Sequence, residues 1–235
     1  MLRARRRGTV MMRGRVGLGL WVLCALWLQP SCARADPVAI DVGGVTIRMS
    51  LPPGWCVYPD ATFKLILERY ETIDRSVVPH VFYGDCAQVE ANTRDQQRIR
   101  DFGNLGSPRD YLGRTVHEPG TLLDKIAAAL QSQDTGAAMS SMRDRLNQAE
   151  LGIEVGKIRP LGLVGRDENA VYGGFLTSAK MATEKFRQLG ILGITVVKGR
   201  LLFSYVYADY ENEDTLTALL ARAQARVAQL RSDNP

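Results

Sequence analysis

Apolar and polar residues alternate over Val38–Val42 and again over Val45–Met49, with Gly43-Gly44 between the two runs. Period-two alternation around a two-glycine turn predicts a β-hairpin. Pro52-Pro53-Gly54 ends it and leads into a short strand from Trp55 to Tyr58. Asp60 is placed to cap a helix in which Phe63, Ile66, Leu67, Tyr70 and Ile73 recur at helical spacing. Val78–Asp85 reads as the next strand.

Residues 87–118 carry a weaker pattern. A strand is expected over Gln96–Gly103, and Gly103, Gly106, Pro108 and Gly113 then interrupt the periodicity. Thr121 and Asp124 have the spacing of a capping box, ahead of an apolar stripe at Leu123, Ile126, Ala127 and Leu130. A second helix is expected from about Asp134, with Ala138, Met139, Met142 and Leu146 on one face. Residues 119–150 thus read as a helical insertion between β segments.

The last third alternates most clearly. Strands are expected over Ile158–Val164, Ala170–Ala179, Ile191–Val197 and Leu201–Ala208, with turns at Asp167–Asn169 and Lys198-Gly199. Phe203, Tyr205 and Tyr207 share one face of the last strand, and Leu202, Val206 and Ala208 make the other face apolar as well. Such a strand is central in its sheet, or one of its faces meets a partner. A terminal helix capped by Asp214 or Thr215 follows. Its stripe is Leu216, Leu219, Leu220, Ala223, Val227 and Leu230, with Arg222, Gln224, Arg226 and Gln229 mostly away from it. The expected fold is α+β: an antiparallel β-sheet with helices packed on it.

The first 35 residues follow a different rule. Arg3, Arg5, Arg6, Arg7, Arg13 and Arg15 precede an uncharged run from Val16 to Leu28, and Ala33-Arg34-Ala35 places small residues ahead of Asp36. That is the order of a secretory signal peptide cleaved after Ala35. The apolar run is shorter than the roughly 20 residues of a spanning helix, and no later segment is long and apolar enough to span. The organisation expected is a cleaved leader, 1–35, and one domain, 36–235, in the periplasm or outside the cell. Other readings of the leader are an uncleaved anchor, lipidation at Cys32 and a twin-arginine signal; each fits the residues less well. Translation from Met11 or Met12 rather than Met1 would give a more ordinary leader.

The leader changes the charge. The whole chain carries 30 basic and 25 acidic residues, a formal +5. The leader holds seven arginines and no acid, so 23 basic residues face 25 acidic ones without it, a net −2. The basic excess that would draw nucleic acid therefore leaves with the leader. Cys24 and Cys32 leave too, and Cys56 and Cys86 remain as an even pair in an oxidising compartment. A structural disulfide is the first reading, stabilising by roughly 3–4 kcal/mol through closure of the 56–86 loop. A reactive thiol at Cys86 is the second, but the neighbouring Asp85 would raise its pKa and not activate it.

No catalytic motif is found. His80 and His117 stand without metal-ligand spacing around them, and G-x-S-x-G, phosphate-binding and dinucleotide-binding glycine patterns are missing from the sequence. Thr177–Lys180 has Thr where an S-x-x-K site requires Ser. Asp167 and Glu168 read as turn residues, Asp60 and Asp214 as helix caps, and Gly173-Gly174 as a bulge or a close backbone approach. No catalytic, cofactor-binding or metal-ligating residue is assigned, and no cofactor is expected.

The opening hairpin running into Ser50-Leu-Pro-Pro-Gly-Trp55, the late strands around Val196–Arg200 and the terminal helix together resemble the photosystem extrinsic PsbP-like α/β sandwich group. The resemblance covers about half of the chain after the leader, at the level of pattern order. It implies an accessory or binding protein without a catalytic constellation, and it carries over no functional residue. Three readings of function follow. The first is an exported, non-catalytic envelope or periplasmic accessory or binding protein with an envelope protein as possible partner. The others are a secreted hydrolase whose site is assembled from distant residues, and a subunit of an envelope assembly that docks through 119–150.

Overall fold

A computed structural model describes residues 37–132, 136–149 and 152–235. The leader, the cleavage point after Ala35 and the helix start near Asp134 lie outside the described residues. The described residues form one compact unit.

The hairpin predicted around Gly43-Gly44 is present as β1 (Val38–Val42) and β2 (Val45–Met49). The remaining strands form one antiparallel sheet. They are β3 (Trp55–Val57), β4 (Val77–Asp85), β5 (Phe102–Pro108), β6 (Ile153–Arg166), β7 (Ala170–Met181), β8 (Glu184–Val197) and β9 (Arg200–Asp209). Their order is β3-β4-β5-β9-β8-β7-β6, so β9, apolar on both faces, is the central strand. With helices packed on it, the sheet makes the α+β fold expected from the sequence.

Each face of β9 has its own cover. On one face, Val206 and Ala208 join Tyr172, Leu189 and Ile191 beneath α5 (Glu213–Ser232). Leu202 on that face packs with Val42, Ile47 and Met49 of the β1–β2 hairpin and with Leu230. On the other face, Leu123 and Ala127 of α3 (Pro119–Ser132) bury against Val171, Ile194, Val196 and Leu201. α1 (Asp60–Ile73) and α2 (Cys86–Asp95) cover Phe82 through Phe63, Ile66, Tyr70 and Val89. The 119–150 segment therefore supplies part of the main core: α3 lies on the sheet, and α4 (Gly136–Gln148) runs beside β6 and touches α1.

Several sequence expectations are corrected. The strand placed over Gln96–Gly103 lies instead at Phe102–Pro108, and the helix α2 before it went unread. α2 begins where the Asp85 carboxylate accepts the Gln88 N–H at 3.0 Å, an N-cap. The glycines that seemed to break β5 are needed in it. A Cβ at Gly103 would lie 2.5 Å from the Tyr205 carbonyl and 2.7 Å from the Tyr83 ring. α1 begins at Asp60 behind Pro59, so Asp60 is in the first turn and does not cap. α3 begins at Pro119, which puts Thr121 inside the helix and removes its capping role. α5 is capped by Asn212, whose side chain takes the Thr215 N–H while the Thr215 hydroxyl takes the Asn212 N–H.

The polar face of α5 also differs. Arg226 is 7% exposed; it donates to the Ser50 carbonyl at 2.7 Å and lies 4.9 Å from the Tyr83 ring centroid. Arg222 pairs with Asp101 at 2.8 Å and lies over Trp55. Long guanidinium stems supply apolar contact that the periodicity scores as polar.

Candidate functional site

The β7–β8 hairpin continues past the end of β9. Pairing of β9 with β8 stops at Asp209 opposite Gln188, while β8 runs back to Glu184 and stays paired with β7 to Met181. Around this step the surface opens into a groove of about 650 Å³. Its lining includes Arg98 and Arg100 ahead of β5, Lys180, Lys185, Phe186 and Arg187 of the hairpin, and Asp209 and Tyr210 at the end of β9.

Arg98 is the fixed element of this groove. Its side chain is 8% exposed and holds both carboxylate oxygens of Asp209, at 2.5 and 2.8 Å, and Glu184 at 3.1 Å. The guanidinium carbon lies 4.0 Å from the Phe186 ring centroid. The hydrogen bonds that the guanidinium donates to Asp209 hold it charged against the cost of its burial, with Glu184 adding to them. Arg187 lies over Tyr210 at 4.4 Å, and the Tyr210 N–H donates to the Arg187 carbonyl at 2.8 Å. Two guanidinium–aromatic pairs thus lie among the groove's lining residues. None of this was visible in sequence, because Arg98 meets partners 86 and 111 residues away.

The residues singled out from the sequence fall elsewhere. Cys56 on β3 and Cys86 at the start of α2 come to disulfide distance, with Cα atoms 5.0 Å apart. His117 is exposed ahead of α3, and His80 sits on β4 at a register shift between Pro79 and Val81. His80 Nε2 lies 2.9 Å from the Ser107 hydroxyl, a pairing of the kind a hydrolase uses. Ser107 is only 1% exposed, so a substrate cannot reach its oxygen. Among the described residues, no group of three or more His, Cys, Asp or Glu could hold a metal ion.

Burial lowers the His80 pKa from its ordinary 6.5, against the opposing pull of Asp41. In the unfolded chain the imidazole protonates first as pH falls. The folded state is therefore at full strength above about pH 6.5 and loses stability as pH drops from there toward the lowered folded-state pKa. Chemical denaturation across that window will show a pH-dependent loss that His80→Gln flattens. An identical profile in the variant would assign the loss to other groups.

The aromatic row on β9 is a packed stack. Tyr205 and Tyr207 lie nearly parallel at 6.2 Å, and Tyr207 stacks on Phe102 at 4.5 Å. Burial raises the Tyr205 and Tyr207 pKa values, and burial with Asp74 pushes Tyr70 up to about 12. These phenols stay neutral at ordinary pH and offer no phenolate base or nucleophile. Gly174, in the pair read as a close approach, has no room for a Cβ, which would lie 2.8 Å from Val164 Cγ1. Asp167 sits in the turn before β7, and its carboxylate accepts the Tyr172 hydroxyl at 2.8 Å.

No family model matches the chain, and no curated protein matches its sequence. Among solved structures the chain is similar to the solution structure of cyanobacterial PsbP from Synechocystis sp. PCC 6803. The likeness covers 86% of this chain and 97% of that one, at 12% identity and a TM-score of 0.39.

Proposed function

We propose that the chain is an exported, non-catalytic binding protein of the cell envelope. On this reading residues 1–35 direct export and are removed after Ala35, and residues 36–235 work as a single domain. Cys56 and Cys86 are joined, and the groove at the end of β9 receives a partner. The observation that carries the reading is the groove itself. Its central guanidinium is anchored by two carboxylates and an aromatic ring, so the walls are set in advance and little ordering is left to binding. The net −2 without the leader supports a partner other than nucleic acid. Among the described residues, no helix is long and apolar enough to cross a membrane.

Hydrogen exchange tests the groove. With a detergent-solubilised envelope fraction added, amide exchange will slow at 98–100, 178–187 and 209–211 relative to the protein alone. No slowing, or slowing confined to α3 and α4, would move the partner surface away from the groove and favour docking through 119–150.

A further inference from the structure

The distal part of the β7–β8 hairpin carries an arrangement that costs stability. Lys180 and Lys185 are direct cross-strand partners, so they share one face of the sheet. Arg187 is two residues along β8 from Lys185 and lies on that face as well, opposite Ser178. Like charges placed directly opposite each other repel, and a sheet under no other demand separates them. Glu154 is the cross-strand neighbour of Lys180 on β6, yet none of the three cations makes an ion pair among the described residues. Arg100, 63% exposed, reaches Asp209 at 3.8 Å. The groove carboxylates Asp209 and Glu184 are taken up by Arg98, leaving Glu154 and Glu211 as its other acidic lining residues.

We propose that this face takes an acidic, extended segment of an envelope protein. The inference rests on the binding reading above and names the chemistry of its partner. Three features select such a segment. The cations stand along and across two strands at spacings of roughly 5–7 Å, so they do not converge on one point as a phosphate site requires. A chain with carboxylates on alternate residues has a matching repeat of roughly 7 Å. The hairpin turn carries no exposed large apolar side chain; among the described residues these are Val57, Leu65 and Leu112, all elsewhere. A lipid surface would therefore gain no apolar insertion at this site.

The test is fluorescence anisotropy of the exported protein with a labelled short peptide alternating Glu and Ser, in low salt. The same peptide with Gln for Glu, inorganic phosphate and phosphatidylglycerol vesicles are the comparisons. The Glu peptide will bind, and added salt will weaken it. The K180Q/K185Q double variant, whose melting temperature will not fall because the repulsion is relieved, will raise its Kd about tenfold, while K64Q on α1 leaves Kd unaltered. Equal binding of the Glu and Gln peptides, or an unchanged Kd in the double variant, would overturn the proposal. So would displacement by phosphate or tighter binding to the vesicles. Slowed exchange in the groove with envelope extract, together with no binding of the Glu peptide, would end the acidic assignment and leave the binding reading standing.

Discussion

Alanine at position 219 will destabilise the fold by about 2–5 kcal/mol, the range for removing a fully buried leucine side chain. Leu219 is 1% exposed and sits in the core formed by Tyr172, Leu189, Ile191 and Val206. Its neighbour Leu220 is only partly buried against the same core and leans on Gly165. Leu220→Ala will cost less, within about 1–2 kcal/mol. Urea denaturation of both variants decides the point. Equal and small losses would mean that α5 is an outward docking surface. The helix's other face is not inert either. Arg226→Ala removes the donor to the Ser50 carbonyl and the contact with Tyr83, so it will destabilise beyond the half kcal/mol typical of a surface change.

Cys86→Ser will remove roughly 3–4 kcal/mol if the two sulfurs are joined in the exported protein. At about 2–4 °C per kcal/mol for a domain of this size, the melting temperature will fall well outside experimental scatter. The effect is large because of what the bond closes. β3 is a three-residue edge strand held to β4 by short pairing, and α1 follows it directly. The Cys86 N–H donates to the Gly54 carbonyl at 2.9 Å, so bond and backbone contact together fix the edge. Limited proteolysis of the variant will cut first within β3 and α1. An unchanged melting temperature would mean free thiols and would bring back a redox role for Cys86.

The strands after residue 150 and α5 were legible because their apolar residues follow one period over many positions. Phe203, Tyr205 and Tyr207 on one face of β9 and Leu202, Val206 and Ala208 on the other left a central place or a partner-covered face open, and the strand order decides for the first. β5 was not legible. Gly103 and Gly106 read locally as breaks, and their purpose is set by Tyr83, Tyr205 and Val77 across the sheet. α2 was missed because its stripe is short, with Val89 its one buried residue among the described ones. β6, β7 and β8 run beyond their expected ends into the polar stretches at 153–157, 180–181 and 184–190, where alternation weakens. Those extensions build the groove. The candidate site was therefore hidden for the same reason as the strand ends: its side chains are charged, and their partners are remote in sequence.

The claim on which the rest depends is export, since export sets the charge of the mature chain, the state of its cysteines and the partners within reach. The direct measurement is the intact mass of the protein recovered from the cell envelope, alkylated before reduction. The expected product starts at Asp36 and carries no alkyl group on Cys56 or Cys86 until reductant is added. A chain recovered from the cytoplasm with residues 1–35 still attached and both thiols alkylated would contradict it.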